Sequence, residues 1–192
     1  MMRSFKTFLA EARGTAAVEV ALWAVAILVP LANVTDVGFY IYRKMQVEIA
    51  AQAAANATWN FCNTTAKLPA AQNCTGLQSH LTTVAQTSTS LAANITLNSA
   101  ATTDGYYCVK TTVTPNQLTF VPIGSAPVTV ASGSAPPAAP ATCTTVVSGS
   151  VSKPGEYVRV SVQYTFTPVF TAASVTSLFP ATITKTAWIR LK

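Results

Sequence analysis

Hydrophobic positions along this chain follow three patterns, and each predicts a different element. From Thr15 to Tyr42 the run TAAVEVALWAVAILVPLANVTDVGFYIY is almost continuously apolar, with only two charged residues, Glu19 and Asp36. A helix of 28 residues reaches about 42 Å, against about 30 Å for the hydrocarbon core of a bilayer. One transmembrane helix is therefore predicted, with length to spare. Phe39, Tyr40 and Tyr42 fall where an aromatic belt meets headgroups; Arg43 and Lys44 follow, and Arg3, Lys6 and Arg13 precede the run. The next segment, Arg43 to Asn60, lacks Pro and Gly and extends the same helix to roughly 40–45 residues, kinked at Pro30. Met45, Ile49, Gln52, Ala53, Asn56 and Trp59 or Asn60 trace a mixed face, apolar at one end and small at the other, while the small Ala50, Ala51, Ala53, Ala54, Ala55 and Ala57 permit close helix approach.

Beyond this helix the period changes. Leu77, Leu81, Val84 and Leu91 recur at helical spacing and predict a helix over 77–92. Ile95–Ser99 and Tyr106–Thr114 read as strands flanking Asp104-Gly105, a dipeptide suited to a hairpin turn. Residues 122–142 (PIGSAPVTVASGSAPPAAPAT) predict a mobile Pro/Ala/Ser/Gly loop with few side chains to pack. Tyr157–Thr167 alternates, with Val158, Val160, Val162, Tyr164 and Phe166 inward and Tyr157, Arg159, Ser161, Gln163 and Thr165 outward. Thr182–Leu191 completes an antiparallel sheet with a helix on one side, an α+β class.

Composition narrows the function. Only 9% of the 192 residues are charged and half are apolar, which excludes a charged disordered chain. The net charge of +6 is spread thinly along the chain. Lys67, Lys110, Lys153, Arg159 and Lys185 are too dispersed in sequence to form a nucleic-acid surface. Cys62, Cys74, Cys108 and Cys143 all follow the apolar run, and none shows C-x-x-C spacing. Four cysteines in a Thr-rich, charge-poor domain read as two disulfides in an oxidising compartment. Of the three possible pairings, the short loop Cys62–Cys74 with Cys108–Cys143 is favoured. That places the segment after residue 44 outside the cytoplasm.

The join between the charged start and the apolar run is the most informative stretch. A secretory signal has a shorter apolar region and an A-x-A-like cleavage site. Here the charged segment Met1–Arg13 ends in Gly14, and an acid, Glu19, stands at the fifth position of the run that follows. The stretch Arg13-Gly14-Thr15-Ala16-Ala17-Val18-Glu19-Val20-Ala21-Leu22 resembles the start of the TadE-like pseudopilins of the tight-adherence (Flp) pilus. Asp36-Val37-Gly38-Phe39 is similar to the acidic-x-Gly-aromatic element ending that family's helix, and the final strand, Ile183 to Arg190, to the family's C-terminal end.

The resemblance implies a minor pilin or pseudopilin, cut after Gly14 by a prepilin peptidase so that the mature chain begins at Thr15. It implies a cytoplasmic leader (1–14), a transmembrane helix with its extension (15–60), and a disulfide-bonded periplasmic α+β domain (61–192) of pilin-like form. Expected partners are the peptidase, other pilins and pseudopilins, an inner-membrane assembly platform and the bilayer. Glu19 is the expected assembly residue. A carboxylate inside a membrane helix is costly, and the new α-amine of Thr15 on a neighbouring subunit would neutralise it. Asp36 reads as a cap at the outer end of the span. The alternative reading is a membrane-anchored binding module, an adhesin or DNA-capture pilin outside the fibre.

Catalytic and cofactor motifs are missing from the sequence. His80 is the single histidine, read as solvated on a polar helix edge, and no phosphate loop, clustered metal ligands or nucleophile elbow is present. The expectation is a protein that is not an enzyme, with no catalytic residue, metal or cofactor.

Overall fold

The computed structural model describes residues 12–113, 116–124, 127–148, 150–170 and 175–192. The predicted leader thus lies outside the described residues as far as Glu11. The first element is one helix, α1, from Ala12 to Cys62, 51 residues long with Pro30 inside it. It is longer than its sequence suggested at both ends. Contacts divide the chain into two compact units: residues 1–43 with Phe166–Ala181, and Lys44–Thr165 with Thr182–Lys192.

Within the second unit, Val47, Ala50, Ala51, Ala54, Ala55 and Thr58 of α1 are buried. Their spacing is that of a single helix face. Ala50, Ala51, Ala54 and Ala55 are among the alanines expected to permit close approach, whereas Met45, Ile49 and Trp59 of the mixed face are about half exposed. The mixed apolar stripe carries the larger side chains, but a run of alanines lets backbone approach closely and wins the buried side. Lys185 donates to Glu48 at 2.9 Å on the rim of α1, a partly exposed pair worth at most about 1 kcal/mol. Two short helices follow, α2 (Ala70–Asn73) and α3 (Leu77–Thr87). Leu77, Leu81 and Ala85 of α3 are buried. The helix stops at Thr87, short of the expected Ala92, where Thr87 and Ser88 turn their hydroxyls back onto the carbonyls of Thr83 and Ala85.

The strands are β1 (Ile95–Leu97), β2 (Thr103–Val113), β3 (Asn116–Pro122), β4 (Val128–Thr129), β5 (Gly155–Thr165) and β6 (Thr182–Arg190). All form one antiparallel sheet centred on β5. One edge of β5 pairs with β6, from Tyr157↔Arg190 to Thr165↔Thr182. Its other edge pairs with β1 at one end and with β2 at the other. The far edge of β2 carries β3 and β4. The fold is α+β, with Val158, Val160 and Val162 of β5 fully buried.

Three local expectations are overturned. Asp104-Gly105 makes no hairpin; it lies inside β2, paired with Val158 and Tyr157 of β5. Its turn propensity yields to pairing across the sheet. The Pro-rich 122–142 segment is not wholly unpacked, since Ile123 and Val130 are buried and Val130 N–H donates to Thr102 O at 3.0 Å. Ser161, expected outward, is also fully buried, its N–H donating to Thr102 Oγ1.

On the sheet face that carries Gly105 and Gly155, aromatic rings make a second small core. Phe120 and Trp188 stack with centroids 4.5 Å apart, and Tyr107 meets Trp188 edge-on at 5.0 Å. Glycine clears the floor beneath them. A Cβ at Gly155 would stand 2.7 Å from the Tyr157 ring and 2.8 Å from Arg190 Nε. Gly155→Val is therefore expected to destabilise the protein by about 1–3 kcal/mol by displacing both groups. Urea denaturation would show it as a lower midpoint at unchanged slope, and an unshifted midpoint would refute it.

Candidate functional site

Three groups of residues carry the functional argument. The first is the start of α1. Gly14 and Thr15 lie in its first turns, with the Thr15 side chain outside the described residues, and Glu19 is exposed one turn further on. From residue 17 to residue 31 every residue but Ala24, which is partly covered, is exposed, Val18, Leu22, Trp23, Ile27 and Leu28 among them. From Ala17 onward α1 is long and apolar enough to cross a membrane, at a mean hydropathy of 2.0 over its most apolar 18 residues, and none of that stretch is buried. Exposure on every side separates it from the core helix of a soluble protein.

The second group lies further along α1. Asp36 does not merely cap the span: it is fully buried. Its Oδ1 accepts the Val169 N–H at 2.9 Å and its Oδ2 the Phe170 N–H at 3.3 Å. Three residues earlier, Asn33 Oδ1 accepts the Val175 N–H at 2.6 Å while its amide donates to Val29 O. Tyr40 stacks on Phe179 at 5.0 Å and meets Phe166 edge-on at 5.3 Å. The connection between β5 and β6 is thereby held along α1 over nearly two turns. Sequence reading missed this partner because it stands more than 130 residues away, and the Asp36 environment offers no local signal.

The third group is a buried carboxylate pair. Asp104 of β2 and Glu156 of β5 occupy one face of the sheet, since the register pairs Asp104 with Val158 and Tyr106 with Glu156. Both are buried. Pro69 precedes α2 and supplies no side-chain cap. The two acids cap it instead from the sheet: Glu156 Oε1 accepts the Ala70 N–H at 3.1 Å and Asp104 Oδ2 the Ala71 N–H at 2.7 Å. Burial pushes the Asp104 carboxyl up to about 6 despite these N–H groups. Burial and the neighbouring Asp104 charge push Glu156 up to about 7. Among the described residues the remaining oxygens, Asp104 Oδ1 and Glu156 Oε2, have no hydrogen-bond partner, so a carboxyl proton retained here lowers the cost of burying both acids. Glu156 borders an open cleft of about 540 Å³ with Tyr106, Lys153, Arg190 and Lys192 around it.

The disulfides join Cys62 to Cys74 and Cys108 to Cys143, with Cα atoms 5.8 and 5.7 Å apart. His80, expected to be solvated, is half-buried with its ring stacked on Phe61 at 4.4 Å. Among the described residues no three His, Cys, Asp or Glu side chains converge in a way that could hold a metal ion.

Comparison with known proteins places the first group. Searches of curated proteins and of solved structures gave no match. A family model described as TadE-like protein matches residues 14–56, from the expected cleavage glycine through the bare span and into the buried alanine face. The candidate membrane helix of this chain, from Gly14 into its buried alanine face, thus carries a TadE-like segment.

Proposed function

We propose that the chain is a minor pilin or pseudopilin of a tight-adherence pilus, with a structural rather than catalytic role. The observation that carries the reading is the coincidence at one helix of a family match starting at Gly14 and a bare apolar surface described from Ala17 onward. The precursor is cut by a prepilin peptidase after Gly14 at the cytoplasmic face of the inner membrane, and the disulfide-bonded domain stands in the periplasm. The new Thr15 amine pairs with Glu19 of a neighbouring pilin subunit, which removes two costly charges from the bilayer and sets the stagger between packed helices. The chain then acts through other pilins and the assembly platform in building an adhesive fibre.

Processing is the test. Arg3, Lys6, Glu11 and Arg13 lie in the leader, so its loss removes a net +2 from the chain. Intact mass and N-terminal sequencing of the membrane fraction should find a chain that begins at Thr15 in peptidase-positive cells and at Met1 without the peptidase. Gly14→Phe should abolish cutting while leaving insertion intact, because a residue without a Cβ gives the protease close access to the backbone. A chain still beginning at Met1 in peptidase-positive cells would overturn the reading.

A further inference from the structure

The connection between β5 and β6 is unusual for a segment in water. Residues 166–181 contain no charged side chain. Of their described residues, Val169, Phe170, Val175, Leu178 and Phe179 are exposed, Val169 at 63% and Leu178 at 83%. Contiguous apolar exposure of this kind marks a surface that meets something other than water. The helix surface beside it is equally bare, with Leu31, Val34 and Ile41 each more than half exposed.

Depth along α1 says what the surface meets. About 20 helical residues span a hydrocarbon core of about 30 Å. Counted from Thr15, where the apolar run begins, they end at Val34, two residues before Asp36. Arg43 lies about 11 Å beyond Asp36, at the level of the headgroups. The connection is fastened to Asn33, Asp36 and Tyr40, so it sits where the acyl chains give way to headgroups. Tyr40, Phe166 and Phe179 form an aromatic cluster at that depth, where amphipathic rings collect.

The hydrogen bonding fits the same medium. Backbone N–H groups that leave water must find acceptors within the protein. The N–H groups of Val169, Phe170 and Val175 are met by Asp36 and Asn33. Asn33 uses both ends of its amide, and Thr35 returns its hydroxyl to Leu31 O. The buried acid and the amide thus equip an irregular segment to lie against lipid.

We propose that segments 166–170 and 175–181 are a second membrane contact, seating Val169, Phe170, Leu178 and Phe179 in the acyl–headgroup boundary at the C-terminal end of the span. The contact rests on the reading of α1 as membrane-spanning, and not on a role in the pilus. Lipid is the occupant because the surface lacks charge and is continuous with the bare face of the span.

Site-directed spin labelling of the full chain tests this in vesicles of phosphatidylcholine and phosphatidylglycerol. The native cysteines are all in disulfides, so Leu178→Cys or Phe170→Cys offers one thiol to a nitroxide. Val25→Cys marks the span and Val151→Cys, at a position 83% exposed, marks water. Labels at 178 and 170 should relax several-fold more strongly with oxygen than with a soluble nickel chelate, as at 25 and opposite to 151. Chelate-dominated relaxation at both sites would overturn the proposal. So would shielding from both reagents that grows with the protein-to-lipid ratio, which would mark a second copy of the chain as the occupant. Chelate access at 25 as well would instead remove the span itself, and the proposal with it.

Discussion

Reducing both disulfides is expected to unfold the domain rather than loosen it. The Cys108–Cys143 bridge closes 35 residues and Cys62–Cys74 closes 12. In the chain-entropy account these loops contribute about 4 and about 3 kcal/mol. A folded domain retains only about 5–15 kcal/mol in total, so losing both removes most of it. The larger bridge also anchors a cluster in which Ile123 is buried beside Cys108 and Cys143, with Tyr106, Val146 and Val147 packed around it. Thermal unfolding of the full chain in detergent, with and without dithiothreitol, checks this. At roughly 2–8 °C per kcal/mol, the midpoint should fall by at least 15 °C. Replacing the Cys108–Cys143 pair by serines should cost more than replacing the other pair. A midpoint unmoved in protein shown by alkylation to be fully reduced would refute the argument.

Raising the pH from 5 to 8 should weaken the fold through Asp104 and Glu156. Their carboxyls titrate at about 6 and about 7 in the folded protein, against 3.8 and 4.5 for the ordinary groups. Between those values the folded state holds protons that the unfolded chain has released. Unfolding free energy therefore falls as pH climbs from about 4 to about 7, and levels off above. For fully buried Asp104 alone, a rise of about two units corresponds to about 3 kcal/mol. The double substitution Asp104→Asn with Glu156→Gln keeps a carbonyl oxygen for the N–H groups of Ala71 and Ala70 and removes the charge. It should flatten the pH dependence and leave the protein more stable than the parent at pH 8. Urea midpoints across pH 5–8 measure both, and an undiminished slope in the double variant would exclude the pair as its source.

What could be read from the sequence followed the range of the interactions involved. The apolar span, the alternation of Val158, Val160 and Val162, and the Gly14–Glu19 signature are properties of neighbouring residues, and the first two have direct structural counterparts. Asp104-Gly105 misled because turn propensity is local, whereas its strand is held by β5 some fifty residues later. On α1 the small residues Ala50, Ala51, Ala54 and Ala55 are legible as permitting close approach, and they are the buried ones, while the larger Met45, Ile49 and Trp59 stay about half exposed. The carboxylate pair and the Asp36 clasp are pairings across long stretches of chain. Sequence showed their residue types but could not show that they meet.

The Cys108–Cys143 bridge also bears on how quickly the sheet can assemble. Tyr107 must find Gly155, 48 positions later, before β2 can join β5. Once the bridge has formed, the shortest covalent path between them runs from Tyr107 to Cys108, across the sulfurs, and from Cys143 to Gly155, about 14 steps. Loop-closure entropy grows as the logarithm of length, so this shortcut lowers the cost of the search by about 1 kcal/mol. Oxidation ahead of strand pairing would then speed the encounter several-fold, so that the timing of thiol oxidation bears on the rate of folding as well as on its endpoint.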